Sequence, residues 1–137
     1  MRIAFAGTAP IAADVLAGLV AAGVVPDLVV TTPDKPRGRH GTPQPSAVKV
    51  RALELGLEAI QPPRPDQDEG LAALRALRPD VFIVVAYGRI LTQSLLDEFL
   101  TICAHPSLVP RWRGAAPIER AAALREMREA VAGHGEI

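Results

Sequence analysis

The sequence predicts an α/β fold built on a doubly wound, mainly parallel sheet of about five strands with flanking helices, and three observations predict it. Short apolar runs of strand length alternate with segments that repeat apolar residues at helical spacing. One run, DVFIVVAY at residues 80–87, is continuously apolar, as a strand is when helices cover both faces of a parallel sheet. Glycine or proline closes most of the segments.

The elements follow in order. RIAFA, residues 2–6, is short and apolar, ends at Gly7 and reads as a buried strand. Ile11, Val15 and Leu19 then recur at helical spacing, with Gly23 suited to the helix C-terminus. DLVVTT, residues 27–32, predicts a second buried strand. PDKPRGRHGTPQP, residues 33–45, carries four prolines, two glycines and the basic side chains Lys35, Arg37, Arg39 and His40, a long loop by composition. Ser46 is a candidate N-cap for a helix through Val48, Ala52 and Leu55 that stops at Gly56. LEAIQ, residues 57–61, is a third strand and PPRPD a linker. Leu71, Leu74 and Leu77 mark a third helix, broken at Pro79 before the strand at 80–87. A short helical piece over 92–97 leads to LTICA, residues 100–104, as a fifth strand. From Ala116 onward Leu124, Met127 and Val131 keep helical spacing, with Arg125 and Glu129 as an exposed pair.

Alternating strands and helices joined by right-handed crossovers make this a Rossmann-like sheet. If the fourth strand returns beside the first, a crevice opens at their C-terminal ends. Segments 7–10, 86–91 and 103–117 would meet there, with Gly7, Thr8, Tyr87 and Gly88 lining it. The first turn reads GTAPIA, neither a dinucleotide fingerprint nor a Walker loop, which argues against a phosphate cradle.

Composition sets further bounds. Hydrophobic residues at 49% and charged residues at 22% describe a globular chain rather than a disordered one. Basic and acidic residues number 15 each, so a nucleic-acid footprint has to be a local patch. Cys103 is the single cysteine, which rules out an internal disulfide and suits a reducing cytoplasm. The N-terminus lacks a signal-peptide pattern and no apolar stretch approaches the length of a membrane span. Histidines 40, 105 and 134 show no metal-ligand spacing with Cys103.

Chemistry concentrates in CAHPSLVPRWRGAAPIER, residues 103–120. Cys103 and His105 are two apart and would share a strand face. They read either as a packed cysteine beside a backbone-bonded histidine or as a thiol with its base. Arg111 and Arg113 flank the only tryptophan, as forked donors for phosphate or carboxylate or as solvated loop charges. The basic stretch at 35–40 is a solvated face or the dock of a phosphate-bearing polyanion.

Four segments resemble a known family. SLVPRWRGAAPIER is similar to the S-L-L-P-x-x-R-G-A-x-P signature of folate-dependent formyltransferases, and MRIAFAGTAP resembles that family's first strand and turn. VTTPDKPRGRHGTPQPSAVK, residues 30–49, resembles the inserted basic loop of the methionyl-tRNA formyltransferases. RPDVFIVVAYGRIL, residues 78–91, is similar to their fourth strand and folate-facing loop. The resemblance covers residues 1 to about 121.

It implies formyl transfer from 10-formyltetrahydrofolate to the methionyl amine of initiator methionyl-tRNA in translation initiation. By resemblance, Ser107, Leu108, Val109 and Pro110 fall at the folate-binding stretch, and Ala86, Tyr87, Gly88 and Ile90 form part of the pterin pocket. Lys35, Arg37, Arg39 and His40 would meet the tRNA acceptor end, and His105 would polarise the formyl carbonyl. The expected partners are the tRNA and the reduced folate, with no metal, no membrane and a monomeric, cytoplasmic protein.

Two departures stand out. Cys103 occupies the position of the family's catalytic Asn, and a thiol is a weaker, shorter donor than an amide. After Arg120 the family continues toward a D-x-G-L-D-T-G stretch carrying a catalytic Asp, whereas this chain reads AAALREMREAVAGHGEI with no aspartate after Asp97. The expectation is one N-terminal formyltransferase-type domain over residues 1–137, incomplete at its C-terminal end. It would be a fragment, an aberrant end or a divergent relative, with formylation by the chain alone impaired or absent. Two alternatives stand beside it: a folate- or tRNA-binding relic without chemistry, and a formyltransferase acting on a sugar nucleotide.

Overall fold

The computed structural model describes residues 1–104. In chain order it contains β1 (Ile3–Gly7), α1 (Pro10–Ala21), β2 (Leu28–Val30), β3 (Lys35–Pro36), β4 (Pro43–Gln44), α2 (Ala47–Glu54), β5 (Ala59–Ile60), α3 (Asp68–Leu77), β6 (Val81–Val85), α4 (Gln93–Glu98) and β7 (Thr101–Ala104). Five strands form one sheet in the order β5-β2-β1-β6-β7, every pair parallel. The predicted return of the 80–87 strand to the side of the first is therefore what the chain adopts.

Register assigns the two faces. Ile60, Val30, Ala6, Val84 and Cys103 form one cross-strand row, and Ala59, Val29, Phe5, Ile83 and Ile102 the next. Neighbouring rows point to opposite faces. Ile60, Val30, Ala6 and Val84 of the first row pack with Phe82, Leu74 of α3 and Leu95 of α4, and Ala59, Val29, Phe5 and Ile83 of the second with Leu16 of α1 and Val48 and Ala52 of α2, whereas Cys103 and Ile102 on β7 are exposed. Phe5, Phe82, Leu16, Leu74 and Leu95 are the largest fully buried apolar side chains among the described residues, each contributing roughly 1.5–3 kcal/mol of burial.

Local signals explain the helix ends. Ser46 Oγ accepts from Lys49 N at 3.0 Å and caps α2 as predicted, and Thr92 Oγ1 does the same for Leu95 N at 3.4 Å in α4. Helices α1 and α2 both end in paired turns through left-handed Gly23 and Gly56: Val24 N donates to Leu19 O, and Leu57 N to Ala52 O, each at 2.8 Å. Arg78 closes α3 in the same conformation, immediately before Pro79.

The helical spacing of Ile11, Val15 and Leu19 is realised in α1 without fixing its deepest face, and the reading of residues 33–45 as loop needs correction. Helix α1 buries Ala12, Ala13 and Leu16, leaving Val15 and Leu19 half-buried and Ile11 exposed. The reason is a close approach: a Cβ on Gly7 would lie 2.6 Å from Ala12 Cβ, so only small side chains fit between helix and sheet there. Residues 33–45 are also not all loop, since Lys35 pairs with Gln44 and Pro36 with Pro43 in an antiparallel hairpin. The ladder stops at two residues a side because proline has no N–H to donate. The predicted C-terminal helix beyond Ala116 lies outside the described residues.

Candidate functional site

The parallel sheet sends the loops after β1, β2 and β6 off one edge. Gly7, Val85 and Ala104 lie level there, so segments 7–10 and 86–91 and the end of β7 meet where the sequence predicts. His105, Ser107, Leu108, Val109, Pro110, Arg111 and Arg113 lie outside the described residues.

The β1 and β6 loops are tied together across the switch in strand order. Thr8 N and Ala9 N donate to Ala86 O at 3.2 and 3.3 Å, and Thr8 Oγ1 donates to Tyr87 O at 2.7 Å. Ala86 (φ 41°) and Gly88 (φ 78°) both take left-handed backbone, unusual for an alanine. These turns send the Tyr87 ring into the core with Phe82, Leu95 and Phe99, while Gly88, Arg89 and Ile90 stay at the surface. Ile90 is 91% exposed, an apolar side chain held out beside the crevice. Tyr87 thus offers its carbonyl to the crevice rim and its ring to the core.

The Tyr87 hydroxyl is buried without a hydrogen-bond partner among the described residues. Burial pushes its pKa up to about 12, with the nearby Arg89 opposing and Asp66 adding to the rise. The Asp66 carboxylate is itself only 8% exposed and lies 3.9 Å from Arg64 Nε. Cys103 is exposed on β7, in the row that continues Ala6 and Val84. Among the described residues it is not part of the core.

The basic hairpin leaves the same edge beside β1, with Lys35, Arg37, Arg39 and His40 all exposed. Arg37 also lines a cleft of about 370 Å³ with Pro10, Asp14, Gln44 and Arg51. Lys49 and Arg51, which lengthen the basic run in the sequence, are spoken for: Lys49 Nζ pairs with Asp34 at 3.1 Å, and Arg51 with Asp14 and Glu54 at 3.9 and 3.6 Å. Asp34 also accepts from Gln61 Nε2 at 2.6 Å, and these two donors hold its carboxyl below the usual value, Gln61 more than Lys49. Sequence reasoning missed Asp34 and Gln61, because a pair 27 positions apart leaves no spacing signature.

A larger cleft, about 490 Å³, sits at the opposite edge among Arg2, Arg75, Arg78, Asp80 and Glu98. Its charges are mostly matched: the Arg2 guanidinium lies 3.8 Å from Asp80 Oδ1, and Arg75 Nε donates to Glu98 Oε1 at 2.7 Å. The C-terminal edge, with strained backbone, an exposed apolar side chain and basic groups that have no acidic partner among the described residues, is the better site. Among the described residues no helix is long and apolar enough to cross a membrane, and no group of three or more His, Cys, Asp or Glu side chains forms a metal site.

Known proteins share this framework. The chain is similar to methionyl-tRNA formyltransferase of Pseudomonas paraeruginosa (strain DSM 24068 / PA7), 52% identical over 123 residues that cover 88% of this chain and 40% of that protein. The same enzyme of Ectopseudomonas mendocina (strain ymp) is 45% identical over 133 residues, 96% of this chain and 42% of that protein. The chain thus spans about 40% of the length of these curated relatives. Among solved structures, phosphoribosylglycinamide formyltransferase of Bacillus halodurans superposes with a TM-score of 0.69 at 20% identity, covering 90% of this chain and 66% of that one. Glycinamide ribonucleotide transformylase 1 of Geobacillus kaustophilus gives 0.66 at 20% identity, covering 90% and 67%. At that identity the structures attest the fold, and the family rests on the match of the formyl transferase model to residues 1–129. From β1 to the signature segment beyond β7, this chain belongs to the formyl transferase family.

Proposed function

We propose that the chain serves formyl transfer from 10-formyltetrahydrofolate to the methionyl amine of initiator methionyl-tRNA. One observation carries the reading: the exposed basic hairpin and the 7–10/86–91 crevice share a sheet edge, in a chain about half identical to proteins named for that reaction. In this reading Ala86, Tyr87, Gly88 and Ile90, with Ser107, Leu108, Val109 and Pro110, hold the reduced folate. Lys35, Arg37, Arg39 and His40 hold the tRNA.

The chemistry asks for donors. A neutral amine attacks the formyl carbon, negative charge builds on the formyl oxygen, and the amine must lose a proton. His105 is the residue to polarise that oxygen and help carry the proton. Cys103 stands at the Asn position of the family pattern and is a weak donor. Loss of one such donor costs about 3 kcal/mol, on the order of a hundredfold in rate.

Cys103 also favours a second reading, in which folate and tRNA bind without transfer. Calorimetry with tetrahydrofolate, a tRNA titration and single-turnover formylation on the chain and on Cys103→Asn separate the two. Transfer that rises about a hundredfold in Cys103→Asn supports formyl transfer. Binding of both ligands with no transfer in either form supports the binding-only reading, and no binding of either ligand overturns both. A sugar-nucleotide formyltransferase would keep its activity when Lys35, Arg37 and Arg39 are neutralised.

A further inference from the structure

We infer that Asp34 is a positioning residue for the tRNA-facing hairpin, a negative charge that strengthens polyanion binding by fixing the basic side chains beside it. The inference rests on the proposed role of the hairpin in holding tRNA.

Asp34 stands immediately before β3, where the chain leaves the sheet edge. Its Oδ1 accepts from Gln61 Nε2 at 2.6 Å, and its two oxygens accept from Lys49 Nζ at 3.1 and 3.3 Å. Gln61 Nε2 also donates to Thr32 O at 3.1 Å, just past β2. The link to α2 is doubled, since Ser46 Oγ bonds Thr31 Oγ1 at 2.5 Å and accepts from Lys49 N. One carboxylate thereby joins the hairpin base to the ends of β2 and β5 and to the first turn of α2. The hairpin itself is built: Lys35 pairs with Gln44, and a Cβ on Gly41 would overlap the Arg37 carbonyl. Fixing its base fixes where Arg37 and Arg39 project.

Coulomb's law alone makes the opposite forecast. A carboxylate beside Lys35, Arg37, Arg39 and His40 repels a phosphate chain, so neutralising it should tighten binding. A positioning role makes the same change weaken binding, because a smaller fraction of molecules presents the cations in the binding geometry. The sign of the effect separates the two.

The test is titration of the full chain and of Asp34→Asn with initiator methionyl-tRNA over a salt series, with amide exchange on both. Positioning gives Asp34→Asn about threefold weaker binding, an unchanged salt slope and faster exchange in residues 35–44 but not in β1. In an Arg37→Ala/Arg39→Ala background Asp34→Asn then adds no further loss, which a general loss of stability would not reproduce. Tighter or unchanged binding by Asp34→Asn, or faster exchange throughout the sheet, overturns the inference. Should Arg37→Ala/Arg39→Ala leave tRNA binding untouched, the hairpin's role in holding tRNA fails. Exchange confined to residues 35–44 in Asp34→Asn would then separately preserve the fixing of its base.

Discussion

Thr8 Oγ1 donates to the carbonyl of Tyr87 at 2.7 Å, across 79 positions of sequence and across the gap where the strand order changes direction. With Thr8 N and Ala9 N both on Ala86 O, it locks the first turn to the loop after β6. Thr8→Val keeps the shape and removes the donor, leaving a part-buried carbonyl short of a partner. Urea unfolding should show a loss of about 1–2 kcal/mol. Exchange at the Thr8 and Ala9 amides should rise more than at β2, and equal rises would show that the contact ties nothing locally.

Gly7→Ala tests the fit of α1 on the sheet. The added Cβ would lie 2.6 Å from Ala12 Cβ and 2.9 Å from Val85 O, neither of which can swing aside as a flexible side-chain end can. Overpacking of this kind costs about 1–3 kcal/mol. Ala12→Gly should recover part of the loss in the double variant, beyond the sum of the single changes. Additive effects in thermal or urea unfolding would place the strain elsewhere.

What the sequence disclosed, and what it did not, follows from the range of each interaction. Strand order was legible because parallel strands with intervening helices and right-handed crossovers leave few arrangements. Ser46, Gly23 and Gly56 were legible because capping is read over four or five residues. The buried face of α1 was not, because Ile11, Val15 and Leu19 are as apolar as the stripe that faces inward. Val15 and Leu19 pack at the margin of the core and Ile11 is exposed, and which stripe lies deepest depends on Gly7 meeting Ala12, a contact between two elements. At the site, the meeting of 7–10 with 86–91 was legible from topology, whereas the turning of the Tyr87 ring was not. A tyrosine at a strand end reads alike whether its ring faces core or crevice, and the Ala86 and Gly88 dihedrals decide it. The Asp34–Gln61 bond left no trace, since neither residue type nor spacing announces it.

Tyr87 is the only tyrosine, so its ionisation can be followed alone by absorbance near 295 nm. Its folded pKa, raised by burial to about 12 from 10.0, means the neutral hydroxyl is favoured in the fold. The stabilising contribution is whole below pH 10 and is lost as pH rises through about 12, on the order of 3 kcal/mol across that window. The titration should therefore appear late and coincide with unfolding followed by circular dichroism. Tyr87→Phe removes a buried hydroxyl that has no partner among the described residues, so it should be at least as stable as the parent at pH 7 and lose this alkaline transition. A smooth midpoint near 10 in the folded protein would show that the hydroxyl is accessible.

On the acid side three carboxylates carry the prediction. Gln61 and then Lys49 hold Asp34 below its ordinary 3.8, the Arg2 backbone N–H does the same for Asp80, and Arg75 holds Glu98 below 4.5. A depressed carboxylate binds fewer protons folded than unfolded. Its contribution is present above the unfolded value and disappears as pH falls through the lower folded one. Thermal midpoints should accordingly stay level down to about pH 5 and decline below it. The variant Asp34→Asn/Asp80→Asn/Glu98→Gln lacks these three groups, so it should begin lower at pH 7 and decline less steeply. Midpoints measured from pH 7 to pH 3 decide the matter: parallel declines in the two proteins would show that other groups govern acid unfolding.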